Sequence, residues 1–138
     1  SCISAVTVQN TQGVKSVVLM DEDTVRGQME AVCEDMHVDA VKIGMTGSRV
    51  IIKTIAEMIL RYKLRNVVLD PVMASSSGDK LTKGDICGFL KEFLLPVCTL
   101  VTPNLPEVVV FCGVLWIDVF VVETDRSADC GGHEEGCS

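Results

Sequence analysis

The sequence predicts an α/β fold whose sheet is open, mainly parallel and flanked by helices. Two observations support this prediction: short apolar runs without polar alternation, and stretches of helical periodicity between them. Strands that are buried on both faces of a parallel sheet have this continuous apolar character. Strands that alternate with helices are typical of right-handed βαβ units. The chain has 138 residues, about the length of one domain.

Three apolar runs rich in β-branched residues are predicted strands of the parallel sheet, at 39–44, 66–70 and 98–102. Residues 1–8 are also strand-like, so we expect a further strand before the first helix. Because this run follows no lead-in segment and no initiator Met, we expect the chain to begin in the middle of a fold.

Three helices are predicted from apolar residues at spacings of three and four, at 22–36, 48–63 and 82–95. Ser48 is a candidate N-cap of the second helix. Thr82 and Asp85 resemble a capping box for the third helix, and Pro96 should end it.

Composition excludes several classes of partner. Lys and Arg number 12 against 19 Asp and Glu, a net charge of −7, so the chain lacks the basic surface that nucleic-acid binding requires. The longest apolar stretch, 108–122, is interrupted by Asp118 and is too short to cross a bilayer, so no membrane partner is expected. Seven cysteines at irregular spacing, with no signal peptide before them, favour a reducing, cytoplasmic location over a disulfide scaffold.

Unusual residues follow each predicted strand of the parallel sheet, at the edge where open α/β sheets bind ligands. They lie in the segments 42–47 (KIGMTG), 70–73 (DPVM) and 102–107 (TPNLPE). Pro71 restricts Asp70 to an extended conformation and so fixes the direction of its carboxylate. Two carboxylates, Asp70 and Glu107, together with several glycines at one sheet edge, indicate a Mg²⁺–phosphate site.

Each of these residues also has a purely structural interpretation. Asn104 and Glu107 are three apart at a helix start, and spacing alone favours a reciprocal cap. Asp70 is about equally well explained as a strand end before a proline. Met45 is equally compatible with an ordinary core position, and Lys42, inside an apolar strand, is interpreted as structural.

Five segments in this order closely resemble the hydroxymethylpyrimidine/phosphomethylpyrimidine kinases of thiamin biosynthesis, in the ribokinase-like superfamily. They are 7–13 (TVQNTQG), 39–45 (DAVKIGM), 66–73 (NVVLDPVM), 77–79 (SGD) and 100–107 (LVTPNLPE). The resemblance extends from about residue 3 to about residue 113. Pyridoxal kinases of the same superfamily share the Asp-Pro-Val-Met and Thr-Pro-Asn elements more loosely.

The resemblance implies a ribokinase-like fold, with substrate held under a small lid, and ATP-dependent phosphorylation of 4-amino-5-hydroxymethyl-2-methylpyrimidine and then of its monophosphate. It implies that Gln9 hydrogen-bonds the aminopyrimidine edge and that Met45 and Val72 line the ring pocket. It also implies the cofactors ATP and Mg²⁺. By the same resemblance, Asp70 and Glu107 would hold Mg²⁺ and Asn104 would lie near the phosphates. Residues 77–79 would belong to a mobile loop near the active site.

Residues 1–138 are therefore expected to form one ribokinase-like kinase domain, present as a partial copy. The family's N-terminal strand with its glycine-rich segment, and its C-terminal Gly-Thr-Gly-Cys anion hole, have no counterpart in this sequence. None of the seven cysteines lies in a Gly-x-Gly-Cys context, so no catalytic base is assigned.

Two other functions remain open, a non-catalytic module that binds a pyrimidine or assembles with a partner, and a pyridoxal kinase. Part of a parallel sheet exposes an unpaired edge and apolar helix faces, so self-association, most simply as a homodimer, is also expected.

Overall fold

The computed structural model describes residues 1–72 and 83–112. Strands β1 (Ala5–Asn10) and β2 (Gly13–Leu19) form one sheet, and β3 (Val41–Ile43), β4 (Val67–Leu69) and β5 (Leu100–Val101) form another. The α-helices are α1 (Glu22–Asp35), α2 (Arg49–Arg61), α3 (Lys83–Phe89) and α4 (Leu105–Cys112). A π-helical segment (Leu90–Leu94) and a 3-10 turn (Leu95–Val97) follow α3 directly.

The second sheet is parallel and has the strand order β3-β4-β5, which confirms the predicted α/β class. Lys42 is paired with Val68, and Val68 with Leu100, so these three residues form one row across the sheet. Each strand lies inside an apolar run that the sequence singled out, and each crossover contains a helix, as parallel pairing requires.

The N-terminal strand does not join this sheet, contrary to the simple strand–helix alternation expected from the sequence. β1 pairs antiparallel with β2 as a hairpin, with a register shift between Val8 and Gln9. The turn between them contains Gly13 at φ +145°, a conformation that favours glycine, and Gln12 donates its N–H to Asn10 Oδ1 at 2.9 Å. These turn contacts reverse the chain directly after β1, so residues 5–10 pair with the strand that follows them in sequence.

Helices α1 and α2 match their predicted positions within a few residues. The Ser48 hydroxyl accepts the Ile51 N–H at 3.3 Å, which confirms the predicted N-cap. Seven residues of α2 are buried, so this helix is the central packing element. The longest described helix has 14 residues, and none in the described part of the chain is long and apolar enough to cross a membrane.

The third predicted helix is divided into α3, the π-helical segment and the 3-10 turn. Leu95 donates its N–H to Leu90 O, five residues earlier, and Cys98 donates to Leu95 O. Pro96 has no N–H to continue the helical ladder, so the chain turns there as predicted. Thr82, the N-cap of the predicted Thr82–Asp85 capping box, lies outside the described residues, as does the 77–79 segment.

The hydrophobic core lies between the parallel sheet and the helices packed against one of its faces. Its most deeply buried apolar side chains come from α1, α2, β4 and the π-helical segment, namely Val25, Ile51, Ile52, Met58, Val67, Leu69, Leu90 and Leu94. The opposite face of the sheet is more open, since Lys42 is exposed, Val68 is half-buried and Leu100 is 45% exposed. Among the described residues, the expected burial on both faces is therefore observed for one face.

Candidate functional site

The carboxyl ends of the three parallel strands meet at one edge of the sheet. Asp70 donates its N–H to Ile43 O at 2.8 Å, and Thr102 donates its N–H to Leu69 O at 2.9 Å. Both bonds continue the strand ladders by one residue. They fix the backbone of Asp70 between the segment that follows β3 and the segment that follows β5.

The Asp70 carboxylate faces a lysine from the neighbouring strand. Its Oδ2 lies 3.0 Å from Lys42 Nζ, with the Asp70 side chain 34% exposed and the Lys42 side chain 70% exposed. Lys42 is paired with Val68, and Asp70 follows Val68 by two residues, so both side chains lie on the same face of the sheet. The sequence interpretation of Lys42 as purely structural missed this contact, which becomes visible only with the register between β3 and β4.

The residues after Asp70 fix its orientation further. Pro71 is fully buried, and Val72 donates its N–H to Asp70 O at 2.8 Å. Val72 itself is 43% exposed. A buried proline on one side and the Ile43 hydrogen bond on the other hold this strand end in place, while the Val72 side chain remains accessible to a ligand.

Met45 lines a cavity of about 360 Å³ between the start of the chain, α1 and the outer edge of β3. The cavity is mainly apolar, with Val25, Met29 and Ile55 in its wall. Gln9 and Val72 are not among its lining residues. The structure therefore does not gather the three predicted substrate-binding residues around one cavity within the described part of the chain.

The hairpin that carries Gln9 rests on the loop that carries Met45. The Ser4 hydroxyl donates to Met45 O at 2.5 Å, and Met20 donates its N–H to Ser4 O at 2.9 Å. At the other end of the hairpin base, Leu19 packs so closely on Gly47 that a Cβ there would overlap Leu19 Cδ2. Both strands of the hairpin are thus anchored to the segment after β3.

Gln9 lies near the far end of the hairpin and is exposed. It pairs with Val14 after the register shift, and its face of β1 is shared with Ala5 and Thr7, which are both half-buried. Val6 and Val8, on the opposite face, are 48% and 53% exposed. Gln9 therefore belongs to the more covered side of the hairpin.

Asn104 and Glu107 form the reciprocal cap that spacing alone favours. Asn104 donates its N–H to Glu107 Oε2 at 2.9 Å, and Glu107 donates its N–H to Asn104 Oδ1 at 2.9 Å. These bonds satisfy two amide groups at the start of α4. They also orient the Glu107 carboxylate at the same end of the sheet as Asp70.

The donor set at this edge suits Mg²⁺, because Asp70 and Glu107 offer carboxylate oxygens, the ligands that this hard cation prefers. In the two described ranges, no three His, Cys, Asp or Glu side chains form a group that could hold a metal. A site built on these two carboxylates would therefore depend on water and on phosphate oxygens for its other ligands, as is usual for Mg²⁺.

A second, more polar cavity of about 850 Å³ lies at the opposite edge of the sheet, between the end of α1 and the end of α2. Its lining residues include His37, Asp39 and Asn66, which precede β3 and β4. Open α/β sheets bind ligands beyond the carboxyl ends of their strands. This cavity lies at the amino ends, away from the predicted Mg²⁺–phosphate site.

Comparison with known proteins identifies the family to which this chain belongs. The family model for phosphomethylpyrimidine kinase matches residues 1–127. The chain belongs to this family. It is 44% identical to the hydroxymethylpyrimidine/phosphomethylpyrimidine kinase of Escherichia coli over 107 residues, which are 78% of this chain and 40% of that enzyme. It is 39% identical to the Mycobacterium leprae enzyme of the same name, over 99% of this chain and 48% of that enzyme.

Solved structures show the same relationship. The phosphomethylpyrimidine kinase of Clostridium difficile superimposes with a TM-score of 0.72 at 36% identity, over 81% of this chain and 49% of that one. Pyridoxal kinase of Staphylococcus aureus, in complex with AMP-PCP and pyridoxal, gives a TM-score of 0.68 at 28% identity, over 81% and 39%. The ribokinase-like fold predicted from the sequence is confirmed, and the chain spans less than half the length of these relatives.

Proposed function

We propose that this chain carries the pyrimidine-binding and Mg²⁺-binding part of a kinase. That kinase phosphorylates 4-amino-5-hydroxymethyl-2-methylpyrimidine and its monophosphate with ATP. The observation that carries the proposal is the position of Asp70, fixed at the tip of β4 between the loop that carries Met45 and the segment that leads to Asn104 and Glu107. Membership of the phosphomethylpyrimidine kinase family supports the same activity.

In this proposal the chain's residues bind and orient, and none is assigned as a base. Asp70 and Glu107 would hold Mg²⁺, which when bound neutralises the charge of the transferring phosphoryl group. Asn104 lies at the start of α4, where the positive end of the helix dipole favours a phosphate. The Gln9 amide can match the donor–acceptor edge of an aminopyrimidine, and Met45 and Val72 offer apolar contacts to the ring.

The Gln9 role is tested by calorimetric titration of the hydroxymethylpyrimidine into the wild type and Gln9→Ala. Loss of a matched hydrogen-bonded edge should weaken binding by about tenfold or more. Gln12→Ala is the matched control, because Gln12 lies in the same hairpin and its only described hydrogen bond uses its backbone N–H. Equal affinity in all three proteins would contradict the role of Gln9.

Turnover distinguishes the kinase from the two other functions. ADP release is measured with the hydroxymethylpyrimidine and with pyridoxal, in separate assays with Mg²⁺ and ATP. Pyrimidine binding without turnover would favour a non-catalytic binding module. Preferred turnover of pyridoxal would favour a pyridoxal kinase, the activity named for structural neighbours at 28% identity. If the chain binds neither the hydroxymethylpyrimidine nor pyridoxal, the proposed function is wrong.

We also propose that the chain acts as a homodimer in the cytoplasm. Val6, Val8 and Val18 are each about half exposed, and the pairing of Val6 with Val18 places them on one apolar face of the hairpin. In the described part of the chain, Cys2, Cys33 and Cys98 form no disulfide bond, in keeping with a reducing compartment. Light scattering of the wild type and Val18→Lys tests the dimer, which the introduced charges should dissociate; a monomeric wild type would contradict it.

A further inference from the structure

Lys42 forms an ion pair with Asp70, the residue proposed above as a Mg²⁺ ligand. The Lys42 ammonium already lies 3.0 Å from Oδ2 of Asp70, the carboxylate that would also bind the divalent cation. Since positive charges repel one another, the ammonium and the metal ion compete for the same carboxylate. This inference rests on the proposed function, in which Asp70 is a Mg²⁺ ligand.

The two partners of the pair differ in their freedom to move. Asp70 is held by its N–H bond to Ile43 O and by the buried Pro71 that follows it. Lys42 lies on β3, an edge strand of the described sheet, and 70% of its side chain is exposed at the end of a flexible stem. Arrival of a second cation would therefore displace the lysine and leave the carboxylate in place.

A displaced ammonium on this stem stays close to the site. A cation on Asp70 that also binds ATP brings phosphate oxygens to this sheet edge, and lysine is a common point-charge ligand of phosphate. The same side chain can thus neutralise the carboxylate before the cation binds and neutralise phosphate afterwards.

We propose that Lys42 is a positioning residue that exchanges partners at this site. Its ammonium holds the Asp70 carboxylate until the divalent cation binds and then pairs with the phosphate oxygens that the cation brings. A lysine that only stabilises the strand would make no such exchange.

The exchange predicts effects of opposite sign in Lys42→Met. Free Mn²⁺ should bind more tightly than to the wild type, by about two- to fivefold, because a partly exposed ion pair no longer has to be broken. ATP in the presence of saturating Mn²⁺ should bind more weakly, by about tenfold, because a charged contact to phosphate is lost.

The experiment uses the full chain and Mn²⁺ as the probe. Free Mn²⁺ is measured by electron paramagnetic resonance in titrations without nucleotide, and ATP binding by calorimetry with Mn²⁺ present. Lys42→Arg keeps the charge and should remain close to the wild type in both titrations. Arg65→Met is the matched control, since Arg65 is an exposed cation just before β4, at the opposite edge of the sheet. It should change neither affinity.

Asp70→Asn separates the inference from the proposed function. If Asp70→Asn loses Mn²⁺ binding while Lys42→Met binds both ligands as the wild type does, the exchange is wrong and the metal site stands. If Lys42→Met weakens both ligands, the lysine is structural and the exchange is again wrong. Unchanged Mn²⁺ binding in Asp70→Asn, or none in the wild type, contradicts the metal site and the exchange together. Circular dichroism confirms that each variant is folded.

Discussion

Among the glycines that the structure describes, Gly47 is the one with the closest contact at its Cβ position. Its φ is +74°, in the left-handed region that favours glycine, and it is buried against Leu19 of β2. A Cβ at Gly47 would overlap Leu19 Cδ2, so Gly47→Ala is strained both in its backbone and in its packing. Gly44 lies in the same loop, has no such φ and has open space where its Cβ would be.

The magnitude follows from these two contributions. A non-glycine residue in the left-handed region costs about 1–2 kcal/mol. The overlap involves the end of a half-buried leucine that can shift, so its cost should lie near the lower end of the range for overpacking, about 1 kcal/mol. Gly47→Ala should therefore destabilise the chain by about 2–3 kcal/mol, whereas Gly44→Ala should stay within about 0.5 kcal/mol of the wild type.

Urea unfolding followed by circular dichroism measures these free energies. Leu19→Ala removes the overlapping atom, so the double variant Gly47→Ala/Leu19→Ala should be less destabilised than the sum of the single variants by about 1 kcal/mol. The backbone contribution should remain in the double variant. If Gly47→Ala is as stable as Gly44→Ala, or if its effect is additive with that of Leu19→Ala, the described contact between the hairpin and the loop is wrong.

Three further changes test the helices and the core. Gly27→Ala should stabilise the chain by about 0.5–1 kcal/mol, because Gly27 is exposed inside α1 with open space around its Cβ position. A melting temperature that does not increase would contradict this. Ile52 is 0% exposed, so Ile52→Ala should lower the free energy of unfolding in urea by about 3–4 kcal/mol. Val50 is 49% exposed, so Val50→Ala should lower it by less than about 1 kcal/mol. Burial raises the pKa of the Cys98 thiol from its ordinary 9.0 to about 11, so its protonated form is favoured in the folded state. The resulting stability is complete below pH 9 and is lost as the pH rises to 11, with an upper bound of about 3 kcal/mol. When the free energy of unfolding is measured against pH under reducing conditions, Cys98→Ala should not show this loss. Identical pH profiles for Cys98→Ala and the wild type would contradict the prediction.

The parallel strands and the long helices could be predicted because their signals are local. Continuous β-branched runs and apolar spacings of three and four are properties of a few consecutive residues. Ser48 shows the same for a helix start, since its cap uses an N–H only three residues away. The three-residue spacing of Asn104 and Glu107 likewise predicted their reciprocal cap, and the two hydrogen bonds between them confirm it.

The hairpin could not be predicted from the strand signal of residues 1–8 alone. Whether such a strand joins a parallel sheet or folds back depends on the turn that follows, and here Gly13 and the Asn10 side chain favour the fold back. The π-helical segment is a similar case, because a uniform apolar stripe does not distinguish bonds to the fourth residue from bonds to the fifth.

The sequence by itself determined the α/β class, the family and the carboxylates at one sheet edge, because these follow from local patterns and ordered motifs. The tertiary structure alone decided that Lys42 contacts Asp70 and that Leu19 packs on Gly47. These two contacts join residues 28 positions apart in each case, and they arise from strand register and hairpin placement. Register depends on the hydrophobic patterns of both paired strands and on the geometry of the connection between them, so no single short segment of the chain contains it.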